Sequence, residues 1–178
     1  MGRTPYPIEQ DIPDKAREFL AKLPKLNIFR MLAHADHLLE PFVRFGNGFL
    51  YKGTLDAVTR EIAILRVGYL SGCEYETHQH ERIARQAGMS DALIAAIKAG
   101  PEAEGFSPQQ RQVMRYVDDL VKNVRAGDET FQPLREQMSI KQLQELTLVT
   151  GYYMMVCRFL STFGVDIEKR GEPAERRP

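Results

Sequence analysis

A short polar stretch holds the side chains best suited to chemistry. Residues 71–84 read SGCEYETHQHERIA and place Cys73, Glu76 and His80 close together. At about 100° per residue, a helix would project these three side chains within an arc of about 60° and would turn His78 away from them. A thiol near a helix N-terminus has a lowered pKa, and an imidazole transfers protons near neutral pH. The stretch therefore predicts a site for thiol or acid/base chemistry.

A fourth candidate, Glu61, lies on the segment just before this stretch. Residues 55–70 form a helical pattern that is apolar on nearly every side, which predicts a helix at the centre of the fold. A carboxylate buried there needs a hydrogen-bonding or charged partner, or a raised pKa. The short Ser71-Gly72 connection should bring Glu61 toward the following helix. The alternative is a structural role, in which Glu61 pairs with Arg60 or Arg66.

The second cysteine and the remaining histidines favour structural roles. Cys157 lies on an apolar stripe, which predicts an inert buried thiol, although it could in principle resolve an oxidised Cys73 across the core. His34 and His37 are one turn apart, but two residues are too few to hold a metal. We therefore expect no metal site there.

Composition narrows the range of partners. The 178 residues include 24 basic and 24 acidic side chains, so no positive excess favours nucleic acid or anionic lipid. No stretch approaches the roughly 18 uninterrupted apolar residues of a membrane span, and the first ten residues lack the apolar run of a signal peptide. We expect a cytoplasmic protein that binds a small-molecule substrate, with neither nucleic acid nor membrane as a partner.

Helical periodicity dominates the chain and predicts an all-α, single-domain bundle of about six to eight helices. The expected organisation is an N-terminal arm over residues 1–12, a helical domain over 13–165 and a disordered tail over 166–178. These helical elements must position the candidate site.

Local signals predict most of the helix ends. A short helix should cover residues 14–23, and a second should begin near Asn27 and run past Phe42. The sequence GNGFLYKGTLD should then supply a turn. Later helices should occupy residues 55–70, from Cys73 to Gly88, 91–98, 108–124, and a final long segment capped by Ser139.

The spacing Glu61-x11-Cys73-x2-Glu76-x3-His80 resembles the carboxymuconolactone decarboxylase superfamily, which includes the alkyl hydroperoxidase D proteins. The flanking text IFRMLAHADHLLEPF, LDAVTREIAILRVGYLSGCEYE and QHERIARQAGMS is similar as well, so the resemblance covers roughly residues 27–160. The hydroperoxidases have a second cysteine where this chain has Glu76. An intramolecular dithiol cycle therefore cannot run through position 76.

The resemblance implies two enzymatic functions. The first is a cofactor-free decarboxylase-like reaction on a small carbonyl or carboxylate compound. His80 would transfer the proton, Glu61 would relay it, Glu76 would act as a second acid or orienting group, and Cys73 would be a wall or auxiliary thiol. The second is hydroperoxide reduction with Cys73 as the attacking thiolate. A non-catalytic helical assembly protein is the third interpretation. The resemblance also implies a homo-oligomer, a trimer or hexamer.

Overall fold

The computed structural model describes residues 3–168, which fold into α-helices joined by short turns. The helices are α1 Asp14–Leu20, α2 Asn27–Leu32, α3 Asp36–Tyr51, α4 Ala57–Leu70, α5 Glu74–Gln86, α6 Asp91–Ala99, α7 Pro108–Lys122, α8 Asp128–Gln137 and α9 Ile140–Phe163. Two 3₁₀ turns cover Glu9–Asp11 and Ala33–Ala35, and residues 3–168 include no β-strand. The all-α prediction is confirmed.

Helix α4 is the centre of the bundle. It packs against α5, α6, α7 and α9. Its segment from Ile62 to Val67 is buried throughout, as the apolar pattern predicted. Burial of each large aliphatic side chain contributes roughly 1.5–3 kcal/mol to folding, so the packing of α4 stabilises the arrangement of the neighbouring helices. A smaller apolar cluster joins α1, α2 and α3.

Side-chain caps fix several helix starts where the sequence predicted them. Ser90 accepts a hydrogen bond from the backbone N–H of Leu93, and Ser107 and Ser139 each form a reciprocal capping box with a glutamine three residues later. Gly88, the predicted stop residue of α5, has a φ of 90°. These signals act within one helical turn, which is why the sequence alone reveals them.

The region from Asn27 to Asp56 differs from the prediction. The single helix expected from Asn27 past Phe42 is instead α2, a 3₁₀ turn and α3, because Ala35 has non-helical backbone angles. The expected turn in GNGFLYKGTLD is wrong over its first half, since α3 continues to Tyr51. A Cβ atom at Gly46 would lie 2.7 Å from Oη of Tyr152, so this glycine permits close packing of α3 on α9 rather than a turn.

Two further features were not anticipated by the helical pattern. Helix α8 was not predicted; it carries Pro133, and a proline within a helical pattern argues against a helix. At the start of the expected tail, Glu168 accepts hydrogen bonds from the Tyr75 hydroxyl and the Asn27 backbone. Residues 169–178 and residues 1–2 of the expected arm lie outside the described residues. Among residues 3–168, none of the helices combines the length and the apolar character needed to cross a membrane.

Candidate active site

Three of the four predicted site residues form a continuous polar chain in the interior. Nδ1 of His80 lies 2.7 Å from Oε2 of Glu61, and Nε2 of His80 lies 3.0 Å from Oε1 of Glu76. Glu61 is supplied by α4, whereas His80 and Glu76 lie one turn apart on α5. The tight Ser71-Gly72 turn, with Gly72 at a φ of 60°, folds α5 back onto α4 and makes this contact possible.

Glu61 also has the structural partner that the sequence suggested. Nε of Arg60 lies 3.2 Å from Oε1 of Glu61, while Arg66 pairs instead with Asp118 on α7. The fully buried carboxylate of Glu61 is therefore balanced by an arginine on one side and an imidazole on the other. The structural and functional interpretations of Glu61 are thus compatible in one geometry.

The two carboxylates determine the protonation of His80. Burial on its own lowers the pKa of the imidazole, but the charge of Glu76 and the hydrogen bonds to Glu61 and Glu76 outweigh burial and raise it from 6.5 to about 9. At neutral pH the ring is an imidazolium that donates from both nitrogens. Such a group is suited to giving a proton and unsuited to taking one.

Cys73 is the N-cap residue of α5, and its thiol lies against α9. A hydrogen bond from the Cys157 thiol lowers the pKa of Cys73 to about 7, although burial opposes this effect. The backbone N–H of Glu76 and the Ser161 hydroxyl also stabilise the thiolate. The thiol of Cys73 is therefore more easily ionised than an ordinary cysteine thiol.

The sequence interpretation missed two residues of α9 that touch this cluster. The ring of Tyr153 meets the His80 imidazole edge to face, with centroids 4.9 Å apart. Burial, and then the charges of Glu76 and Glu61, raise the pKa of Tyr153, so its hydroxyl stays protonated. Ser161 contacts Cys73 two turns further along α9. The helical spacing of Tyr153, Cys157 and Ser161 was the available signal.

The four candidate side chains are almost completely covered. Glu61 is fully buried, and Cys73, Glu76 and His80 are 3%, 3% and 6% exposed. His78 is exposed on the opposite side of α5, as predicted from the helical angle. One surface cleft beside α7 and α8 and another between α1 and α3 are lined by other residues. None of the four candidate side chains lines either of these two clefts.

Comparisons with known proteins match both the motif region and the fold. A profile of the carboxymuconolactone decarboxylase family matches residues 36–119, which include all four candidate residues. A peroxidase-related protein from Ralstonia eutropha JMP134 with an alkylhydroperoxidase AhpD core superposes with a TM-score of 0.82 at 19% identity, over 94% of this chain and 92% of that one. Part of the chain, residues 36–119, is therefore similar to the carboxymuconolactone decarboxylase family, and its fold is the AhpD-like helical fold.

Two further proteins are similar to this chain. The debrominase Bmp8, in a substituted form bound to 2,3,4-tribromopyrrole, superposes with a TM-score of 0.77 at 12% identity, over 94% of each chain. The uncharacterized protein YdfG of Bacillus subtilis (strain 168) is 25% identical over 100 residues, which are 55% of this chain and 68% of YdfG.

Proposed function

We propose that this protein is a cofactor-free acid/base enzyme of the carboxymuconolactone decarboxylase type, acting on a small carbonyl or carboxylate compound. The observation that carries the proposal is the position of His80 between two buried carboxylates, Glu61 and Glu76. This arrangement favours a proton donor that is charged at neutral pH and held in one orientation.

Decarboxylation requires such a donor. The bond between the substrate carbon and its carboxylate breaks, carbon dioxide leaves, and the electron pair left on carbon takes a proton. In the proposed reaction His80 supplies that proton from Nε2, while Glu61 holds Nδ1 and stabilises the imidazolium. Glu76 orients Nε2 or carries its proton onward, and Cys73 is a wall of the site or an auxiliary thiol.

The test is release of carbon dioxide from carboxymuconolactone and from a panel of small lactone acids and keto acids, after subtraction of the uncatalysed rate. The wild type should turn over at least one compound. His80→Ala and Glu61→Gln should lose most of this activity, in line with the roughly 10²–10⁴-fold contribution of general acid catalysis, whereas Cys73→Ser should retain it. Unchanged turnover in His80→Ala would contradict the assigned proton donor.

A second candidate function is reduction of a hydroperoxide by Cys73. The lowered pKa of this thiol favours it, since the thiolate is the nucleophile. Consumption of hydrogen peroxide and of cumene hydroperoxide in the presence of dithiothreitol should then be lost in Cys73→Ser. Peroxide consumption by Cys73→Ser at the wild-type rate would exclude this function.

The third interpretation, a helical assembly protein without catalysis, draws support from the low exposure of the four side chains. A lack of both activities, with a stable oligomer, would favour it.

In all three cases we propose a homo-oligomer, a trimer or hexamer. Phe45, Leu148 and Met155 are each about half exposed, and the ring of Phe45 contacts Tyr152, which lies between the other two along α9.

A further inference from the structure

Three successive turns of α9 face the start of α5. The ring of Tyr153 contacts His80, the thiol of Cys157 contacts the thiol of Cys73, and the hydroxyl of Ser161 contacts Cys73 again. The contacts run toward the C-terminus of α9 as they approach the N-terminus of α5, so the two helices pack with opposite directions. The two cysteines are 84 positions apart in sequence, yet they are neighbours in the core.

We propose that Cys73 and Cys157 form a redox couple that closes to an intramolecular disulfide when Cys73 is oxidised by a hydroperoxide. The disulfide would connect the start of α5 to α9. In the hydroperoxidases, by contrast, the second cysteine is at the position of Glu76, three residues after the first. The couple gives Cys157 the role of resolving thiol, for which position 76 is not available because it is glutamate. The inference deepens the second candidate function and rests on it.

The proposed cycle has two balanced steps. The Cys73 thiolate attacks one oxygen of the hydroperoxide, the O–O bond breaks, Cys73 becomes a sulfenic acid, and the alkoxide leaves as an alcohol after taking a proton. The Cys157 sulfur then attacks the Cys73 sulfur, an S–S bond forms, and hydroxide leaves as water with the Cys157 proton. The hydroperoxide gains the two electrons that the two thiols lose. A dithiol reductant restores both thiols.

The surroundings of each sulfur suit these unequal roles. Cys73 directly follows the exposed residues Ser71 and Gly72 and is the N-cap residue of α5, and the pKa of its thiol is lowered. Cys157 is 1% exposed, and hydrogen bonding to Cys73 together with burial raises its pKa, so it remains a thiol. Before any reaction, the two thiols therefore already differ in their pKa: Cys73 is the more easily ionised thiol, and Cys157 stays protonated.

The test uses the full-length reduced protein treated with one equivalent of hydrogen peroxide, denatured in excess N-ethylmaleimide and analysed by intact and peptide mass spectrometry. The expected product has lost two hydrogens, takes up no maleimide, and yields a dithiothreitol-sensitive peptide pair that contains Cys73 and Cys157. In Cys157→Ser, dimedone should trap the sulfenic acid on Cys73. In Cys73→Ser, the Cys157 thiol should remain fully reactive to maleimide after denaturation.

The outcomes separate this inference from the function on which it rests. A wild-type product that gains one oxygen at Cys73 and keeps an alkylatable Cys157 would overturn the couple and leave a one-cysteine peroxidase. A disulfide between Cys73 residues of two chains would overturn it in the same way. Full maleimide labelling of both cysteines after peroxide treatment would overturn the couple and the peroxidase function together.

Discussion

The Nδ1 nitrogen of His80 lies 2.7 Å from a carboxylate oxygen of Glu61, a side chain with no exposed surface. The two residues are 19 positions apart and come from different helices. Their contact places a charged donor and its acceptor in the least solvated part of the bundle, where an ion pair is strong but the loss of one partner is costly.

The protonation of His80 should be visible directly. Its pKa is raised to about 9 in the folded state from an ordinary value of 6.5, so the imidazole should stay charged through neutral pH. A nuclear magnetic resonance titration of the four histidines should show one ring that loses its proton near pH 9. If every histidine titrated with a pKa close to 6.5, His80 would not be the imidazolium at neutral pH that the proposal requires.

The same shift predicts a pH dependence of stability. Because the folded-state pKa of His80 is raised, its contribution to the free energy of unfolding is fully present below about pH 6.5 and is lost as the pH rises through about 9. Denaturant unfolding across this window should show a decline, and the decline should be much smaller in His80→Gln. An equal decline in that variant would assign the effect to other groups.

Neutralising Glu61 should be far more damaging than neutralising a surface glutamate. Glu61→Gln keeps the side-chain shape but leaves the His80 and Arg60 charges without their buried partner, which should cost about 3–5 kcal/mol. The matched control is Glu102→Gln, where Glu102 pairs with Arg115 at the surface and the expected loss is about 0–1 kcal/mol. Equal losses in urea unfolding would contradict the buried pair.

Two glycines on α3 should respond in opposite directions. Gly46→Ala places a Cβ 2.7 Å from Oη of Tyr152, and this hydroxyl already donates a hydrogen bond to the Phe42 carbonyl. The substitution should therefore lower the free energy of unfolding by about 1–3 kcal/mol. Gly48→Ala meets nothing within 4 Å and should stabilise the helix by about 1 kcal/mol. Melting temperatures of the two variants should therefore lie on either side of the wild-type value.

The thiolate of Cys73 should titrate near neutrality. Its pKa is lowered to about 7, chiefly by the hydrogen bond from Cys157, so thiolate absorbance should rise with a midpoint near that pH. In Cys157→Ala the donor is lost and the midpoint should move upward. A midpoint that stays unchanged in this variant would show that the two thiols are not in contact in solution.

The homo-oligomer remains a prediction that light scattering can check. The wild type should have the mass of a trimer or hexamer, and Met155→Glu should weaken the assembly because it places a charge on the half-exposed apolar side of α9. Circular dichroism would confirm that this variant keeps its helices. A wild type that is monomeric at all concentrations would contradict the proposal.

Sequence reasoning was most successful where interactions are local. The caps at Ser90, Ser107 and Ser139 involve residues within one turn, and the burial of α4 follows from its all-round apolar pattern. It failed at GNGFLY, because glycine usually marks a turn and only the approach of Tyr152 explains why Gly46 lies within a helix. It also missed α8, in which Pro133 lies inside the helix although proline usually interrupts one.

The sequence by itself determined that the protein is helical and that Glu76 and His80 share one face of a helix headed by Cys73, because these features depend on hydrogen bonds and angles within a few residues. Only the tertiary structure decided which side chains of α9 meet that face. The spacing of Tyr153, Cys157 and Ser161 places them on one side of α9, but which helix that side meets depends on how the apolar surfaces of α4, α5 and α9 fit together, and local spacing does not determine this packing.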